Sequence, residues 1–220
     1  MEKNILLPSR FYLGNFMEKW IFVLLTFVSA NLCAEKNVLA ISGSTRNESL
    51  NKKLVTEAAY WASQSGGTVI EIDLKEYAMP FYDGDLEISE GMPEKAQQLR
   101  ALMIQSDVIL IASPEYNCSV SAVLKNAIDW ASRSEEGRSS RAAFKDKTFV
   151  IMSASPGSGG GARGLVHLKE IIKDIGGTVL QQQVVVPNAY RAFDQQGRLI
   201  DPTQKSMLQE AVHAAMKAAS

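Results

Sequence analysis

Cysteine and histidine are nearly absent from this chain, with two of each in 220 residues. Cys33 lies in an N-terminal segment and Cys118 in a loop after a strand, which argues against a disulfide framework and suits a reduced compartment for the core. His167 and His213 have no ligand-like partners at metal spacing, so both are expected on helix surfaces rather than at a metal. Charge of one sign is also missing. The formal charge is -1, and Lys and Arg are scattered, which argues against a nucleic-acid partner. The same balance sits poorly with an acidic electron carrier that docks by charge. No stretch rich in Pro, Ser or Gly divides the chain into two halves that could each fold, and no internal repeat or low-complexity tract is visible. The uncharged run at residues 20–30 (WIFVLLTFVSA) is short of the about 20 residues a membrane span needs, so no stable span is expected. What remains, 46% hydrophobic and 21% charged residues, is ordinary for a globular protein.

Residues 1–35 are set apart as an N-terminal extension. Lys19 gives a basic flank, residues 20–30 a run of about the length of a signal's apolar core, and Ala34 a small residue at a cut, which are the parts of a secretory signal. Two other readings stand beside it: a mis-assigned start, with Met17 as the true one, and an extra helix packed on the domain. The core domain is taken as residues 36–220.

That core is organised around residues 38–51, VLAISGSTRNESLN. Val38, Leu39, Ala40 and Ile41 suit a strand buried on both faces, and Leu50, Leu54, Val55, Ala58, Ala59 and Ala62 recur at helical spacing. The loop between them therefore joins the carboxyl end of a strand to a helix N-terminus, where unpaired N–H groups and the helix dipole favour an anion. Ser44, Thr45, Ser49 and Asn51 add short donors, and Arg46 adds a charge whose fork fits phosphate oxygens. The loop has neither the G-x-x-x-x-G-K-[ST] of a P-loop nor the G-x-G-x-x-G of a dinucleotide fold, which favours a ligand with one terminal phosphate. The alternative is that Ser44, Ser49 and Asn51 only cap a helix.

Further along, Gly66 and Gly67 end the first helix and residues 68–74 alternate as a second strand, with Asp73 read as a strand-end residue. A polar loop holding Pro80, Phe81, Tyr82, Asp83, Gly84 and Asp85 is long enough to be functional. Pro93 opens a helix carrying Ala96, Leu99, Leu102 and Met103, and VILIAS at 108–113 is the strongest buried-strand signal. A helix over 119–132, a basic loop over 133–141, a strand over 148–154, a glycine-rich loop, and a helix over 165–175 follow. Residues 178–186 make a fifth strand and 203–219 a last helix. Strands alternating with helices predict an α/β three-layer sandwich around a five-stranded parallel sheet.

In the flavodoxin-like order 2-1-3-4-5, three unusual loops, at 43–51, 114–119 and 155–163, meet at the switch point between strands one and three. GSTRNESLN, PEYNCSVSAVLKNAIDW and SASPGSGGGAR, in that order and spacing, resemble the NADPH-dependent FMN reductase family, which includes quinone, azo-dye and chromate reductases. The resemblance covers about residues 37–189. It implies a flavodoxin-like domain that holds FMN, takes hydride from NADPH or NADH, and passes two electrons to a small-molecule acceptor, as a homodimer or homotetramer. It places the FMN phosphate on Ser44, Arg46, Ser49 and Asn51, the isoalloxazine on Pro114, Glu115, Tyr116 and Asn117, and its far edge near Ser155 and Gly157. The reductant suits a cytoplasmic location, whereas a working signal at residues 17–34 would mean export.

The residues are consistent with that account. A flavin needs a phosphate anchor, a flat slot and backbone donors where charge develops, and the cofactor supplies the reactivity, so no residue beyond the flavin is needed as nucleophile. Tyr116 can pack on the ring. Glu115 is read for its backbone rather than as a catalytic acid, since no second carboxylate stands at a defined spacing. Gly157, Gly159, Gly160 and Gly161 allow close approach to a ligand, or form a flexible turn. Cys118 reads as a buried small residue rather than a redox thiol. Residues 124–130 read as core or subunit interface, with Trp130 a candidate anchor between protomers. Arg133, Arg138 and Arg141 could meet a 2'-phosphate or form a solvated basic loop. A flavodoxin-type electron carrier without pyridine-nucleotide activity remains the alternative function.

Overall fold

The computed structural model describes residues 35–219; the N-terminal extension and its signal-like run lie outside the described residues. In chain order the elements are β1 (Lys36–Ser42), α1 (Leu50–Gln64), β2 (Gly67–Asp73), α2 (Gly84–Glu90), α3 (Glu94–Gln105), β3 (Val108–Ala112), α4 (Ala122–Ala131) and β4 (Thr148–Ala154). They are followed by α5 (Ala162–Asp174), β5 (Thr178–Val179), β6 (Val184–Val186), a 3-10 turn (Ala189–Arg191) and α6 (Pro202–Ala218). The sheet is parallel with order β2-β1-β3-β4-β5, and β6 also pairs with β4. This is the flavodoxin-like three-layer sandwich that the alternation of strands and helices predicts.

Both faces of the sheet are covered because successive strand residues point to opposite sides. Val38 and Ala40 of β1, with Leu110 of β3, pack beneath Leu54 and Ala58 of α1 and Leu208 and Val212 of α6. Leu39 and Ile41, with Ile109 and Ile111, pack against Leu99 of α3, Ile128 of α4 and Leu168 of α5. All five residues of β3 are buried, as a central strand with helices on both faces requires. Truncating one of its large side chains, such as Leu110→Ala, would cost about 2 to 5 kcal/mol through lost burial and the cavity left behind.

Three features depart from expectation. The fifth strand is interrupted: Phe149 pairs with Val179 and Met152 with Val184, so three steps along β4 match five along its neighbour, and two extra residues sit between β5 and β6. Part of the polar loop after β2 is the short helix α2, which Asp83 caps by accepting from the N–H groups of Asp85 and Leu86. Trp130 is fully buried, so it is a core residue and not an anchor between protomers. Its indole N–H donates to the Pro80 carbonyl at 2.8 Å, and Asn126 bonds the same carbonyl and the Tyr82 N–H. The Asn and Trp of NAIDW thus hold the loop at 80–82 onto α4. No helix among the described residues is long and apolar enough to cross a membrane.

Candidate functional site

Loops at the carboxyl ends of β1, β3 and β4 share one edge of the sheet. Direct hydrogen bonds join them there. Ser121 caps α4 by accepting from the Leu124 N–H, and its hydroxyl donates to the Gly43 carbonyl at 2.6 Å. That ties the first loop to the second. Gly43 has to lack a side chain, since a Cβ would meet Leu124 at 3.0 Å and Pro114 at 3.3 Å. Asn51, buried in the first turn of α1, donates to the Ala154 carbonyl at 3.0 Å and accepts from the Ala154 N–H at 2.9 Å. Its amide is therefore a staple between the first loop and the third.

The first loop gathers hydroxyls and peptide N–H groups at the start of α1. Ser49 is the N-cap of α1, accepting from the N–H groups of Asn51 and Lys52, and Ser44 accepts from the Arg46 N–H. Both hydroxyls act as acceptors toward the backbone, so each keeps its own hydrogen to donate outward. Among the described residues the N–H groups of Ser44, Thr45, Asn47, Glu48, Ser49 and Leu50 have no protein acceptor. Helix capping by Ser49 therefore leaves these donors free and does not compete with the anion binding expected from the sequence. Behind this loop, Lys52 pairs with Asp73, Lys75 donates to Asn47 Oδ1 at 2.8 Å, and Asp73 also accepts from the Lys75 N–H. Burial works against the Asp73 charge, but the bonds from Lys52 and Lys75 outweigh it and hold the carboxyl below its usual range.

The second loop is a tight hairpin. Tyr116 and Ser119 exchange both backbone hydrogen bonds at 3.0 Å, and the two residues between them, Asn117 and Cys118, have φ of 50° and 66°. Two positive-φ residues in a two-residue loop follow the type I' pattern, in which Asn is favoured first and Gly second. The turn pushes Cys118 outward, so it is exposed and not the buried small residue expected.

The third loop brings α5 close. A Cβ at Gly160 would lie 2.4 Å from Val185, and one at Gly161 1.9 Å from the Ser153 hydroxyl. These two glycines therefore answer to packing beneath the loop, while Gly157 and Gly159 face open space or only distant neighbours. The segment after β6 braces the loop, with Ala189 N–H donating to Ser155 and Asn188 N–H to Gly157.

Ser44, Arg46, Ser49, Asn51, Pro114, Glu115, Tyr116 and Ser155 together line a narrow cleft of about 60 Å³, joined by Leu50, Ala154 and Pro156. Asn117 and Gly157 lie beside it in the chain but not in its wall. Arg46 is exposed, and Tyr116 is half-exposed at 48%. A larger hollow of about 590 Å³, walled by Leu74, Tyr77, Met79, Phe81 and Val123, touches the first loop only at Thr45. Arg133 is engaged elsewhere: it forms a forked ion pair with buried Glu87 at 2.8 to 3.1 Å, which removes it from the candidates for a 2'-phosphate. Among the described residues no group of His, Cys, Asp and Glu could hold a metal. The cleft offers anion donors, a flat aromatic wall and free peptide N–H groups, and no nucleophile with an adjacent base.

The family model described as NADPH-dependent FMN reductase matches residues 36–191. The chain belongs to the NADPH-dependent FMN reductase family. An NAD(P)H-dependent FMN reductase of Pseudomonas aeruginosa is 35% identical over 179 residues, covering 80% of this chain and 91% of the relative. The NADPH:quinone oxidoreductase of Arabidopsis thaliana is 36% identical over 180 residues, covering 80% and 87%. Among solved structures, a flavoenzyme NAD(P)H:(acceptor) oxidoreductase from Paracoccus denitrificans superimposes with a TM-score of 0.70 at 28% identity, over 83% of this chain and 96% of that one. Every loop of the cleft falls within the matched family region.

Sequence reasoning passed over Ser121, Arg163 and Gly164 and read His167 only as a helix-surface residue. Ser121, three residues before Leu124 at a helix start, carries a legible capping signal. The other three act through a contact with Glu115 or Ser119 about fifty residues earlier, for which no local pattern exists.

Proposed function

We propose that the protein is an FMN-dependent NAD(P)H oxidoreductase that passes two electrons from NADPH or NADH to quinones or similar small acceptors. The observation that carries the reading is the joining of an anion cradle, an aromatic wall and a braced third loop in one cleft of an FMN reductase family member. The donor set fits the cofactor. The cradle offers several peptide N–H groups, the free hydrogens of Ser44 and Ser49, and Arg46, which suits a terminal phosphate dianion. Pro114 and Tyr116 supply an apolar, flat surface for the ring, and the N–H groups of Glu115 and Asn117, without acceptors among the described residues, supply donors. Ser155 and Gly157 lie toward the far edge.

When bound, FMN supplies hydride acceptance from the nicotinamide and two-electron delivery to the acceptor, NADPH + H⁺ + quinone giving NADP⁺ + hydroquinone. The chain holds, orients and partly screens it. Asn51 keeps the first and third loops together rather than donating strongly to the phosphate. Assembly as a homodimer or homotetramer is part of this reading, supported by Phe81 on the rim of the larger apolar hollow and Ile88 on α2, which are 74% and 85% exposed.

The test is an anaerobic absorbance spectrum of the purified full chain, supplied with FMN, before and after one equivalent of NADPH. A flavin spectrum shifted by binding and then bleached is the expected result. A protein that retains no FMN overturns the reading, and bound FMN that neither NADPH nor NADH bleaches points to a carrier of electrons between proteins.

A further inference from the structure

Glu115 stands in the wall of the cleft, yet its carboxylate is bonded to the next helix. Oε2 accepts from the Gly164 N–H at 3.0 Å, and Oε1 accepts from Arg163 Nη2 at 2.7 Å and Nε at 3.1 Å. The α5 helix begins at Gly161 with no side chain of its own to cap it. Glu115 therefore satisfies an N-terminal donor of α5 from outside, with a negative charge at the positive end of the helix dipole. Two more contacts hold the same hairpin to the same helix. His167 Nδ1 lies 3.0 Å from the Ser119 hydroxyl, and Gly164 permits the approach, since a Cβ there would meet the Ser119 carbonyl at 3.2 Å and the Glu115 side chain at 3.4 Å. The Glu115 side chain is only 10% exposed, whereas Arg163 is 73% exposed.

Inside the hairpin, the Tyr116 N–H is taken by Ser119 and the Ser119 N–H by Tyr116, so the peptide donors without an acceptor among the described residues include those of Glu115, Asn117 and Cys118. They sit on a backbone that, at Asn117 and Cys118, adopts a conformation L-residues disfavour. Something outside the turn has to hold it. Two side chains of the segment are bonded, Glu115 through three hydrogen bonds and Ser119 through one contact with His167, and both reach α5.

We infer that Glu115 is a positioning residue: capping α5 from the neighbouring loop, its carboxylate fixes residues 115–119 so that their free peptide donors meet the flavin ring. The inference rests on the FMN reading given above. It assigns the acidic residue of PEYN to the protein scaffold and gives Arg163 and His167 supporting parts in the same clamp. Burial opposes the Glu115 charge, but the Gly164 N–H and Arg163 more than compensate, and the carboxyl stays below its usual range and ionised at neutral pH.

The experiment compares full-length wild type with Glu115→Ala, Glu115→Gln and Arg163→Ala, reading FMN affinity by fluorescence quenching, the visible bands of bound FMN, and its midpoint potential. Glu115→Ala is expected to weaken FMN binding about tenfold, the loss of a charge-assisted bond near 1.4 kcal/mol, and to shift both bands and potential. Glu115→Gln keeps an acceptor for the Gly164 N–H and is expected to restore the wild-type bands and most of the affinity. Arg163→Ala, at an exposed position where folding is not at stake, is expected to shift the bands in the same direction by less. If Glu115→Ala does not fold, Arg163→Ala decides, and wild-type bands and potential in that variant overturn the inference. Wild-type affinity, bands and potential in a folded Glu115→Ala overturn it outright, as does a loss in Glu115→Gln equal to that in Glu115→Ala. Wild-type protein that fails to bind FMN instead defeats the FMN reading itself.

Discussion

Arg46 stands in solvent at the rim of the cradle, so its attraction for a phosphate acts partly through water. A charge-assisted hydrogen bond is worth about 1.5 to 3 kcal/mol, and exposure puts Arg46 at the lower end of that range. Arg46→Ala is expected to weaken FMN retention roughly tenfold without changing the unfolding midpoint; unchanged affinity by fluorescence quenching would move the phosphate elsewhere. Cys118 makes a second single-residue case. It occupies the position of a type I' turn where glycine is favoured, with φ of 66°. Cys118→Gly is expected to stabilise the fold by about 0.5 to 1 kcal/mol, read as a raised thermal midpoint, and a lowered midpoint would show that the thiol has a packing role. That Ser44, Arg46 and Ser49 share one loop between a strand and a helix was legible from the hydrophobic pattern on either side of them. Cys118 was misjudged because chemistry alone says that cysteine is buried, while turn geometry decides which way it points.

At the scale of elements, the staple from α1 to the end of β4 is the contact most exposed to test. Asn51→Ala removes two buried hydrogen bonds and leaves the Ala154 N–H and carbonyl without partners, an expected cost of about 2 to 4 kcal/mol by urea unfolding. A loss under half of that would mean that the loops hold together without it. The short helix α2 carries a second device. Glu87, at 4% side-chain exposure, is bonded to Arg133 and accepts from the Tyr82 hydroxyl at 3.1 Å; Arg133 and Tyr82 outweigh burial and lower its pKa from the ordinary 4.5. A lowered folded-state pKa contributes stability above 4.5 and loses it as pH falls through the folded value. Wild type is therefore expected to be more stable than Glu87→Gln at pH 7 by about 1 to 3 kcal/mol, with the gap closing in acid. A gap independent of pH would assign the effect to packing. The long strands and helices were legible from periodicity, and α2 was not, since seven residues show too little of a period. Nor could Asn51 be read as a staple, because its partner lies 103 residues away.

Taken whole, the proposed function gives two reactants a single bound flavin, which they would use in turn. Double-reciprocal initial-rate lines for NADPH at several quinone concentrations are expected to be parallel. Lines that intersect would mean that both are held at once, and the larger hollow beside Thr45 would become the place to look for the second. The strand order that gathers the three loops was legible from the alternation of elements and their composition. The division of the fifth strand was overlooked although the polar run Gln181, Gln182 and Gln183 stands at the break; the two-residue register jump itself leaves no compositional mark. That division also bears on how the molecule behaves in a crowd. A sheet border invites a foreign strand when it shows an uninterrupted row of donors and acceptors. Here the row on the β5 side runs for two residues, breaks, and resumes two residues out of step. A neighbouring chain that began to zip onto that border would lose its pairing almost at once, leaving the sheet poorly suited as a template for aggregation on that flank.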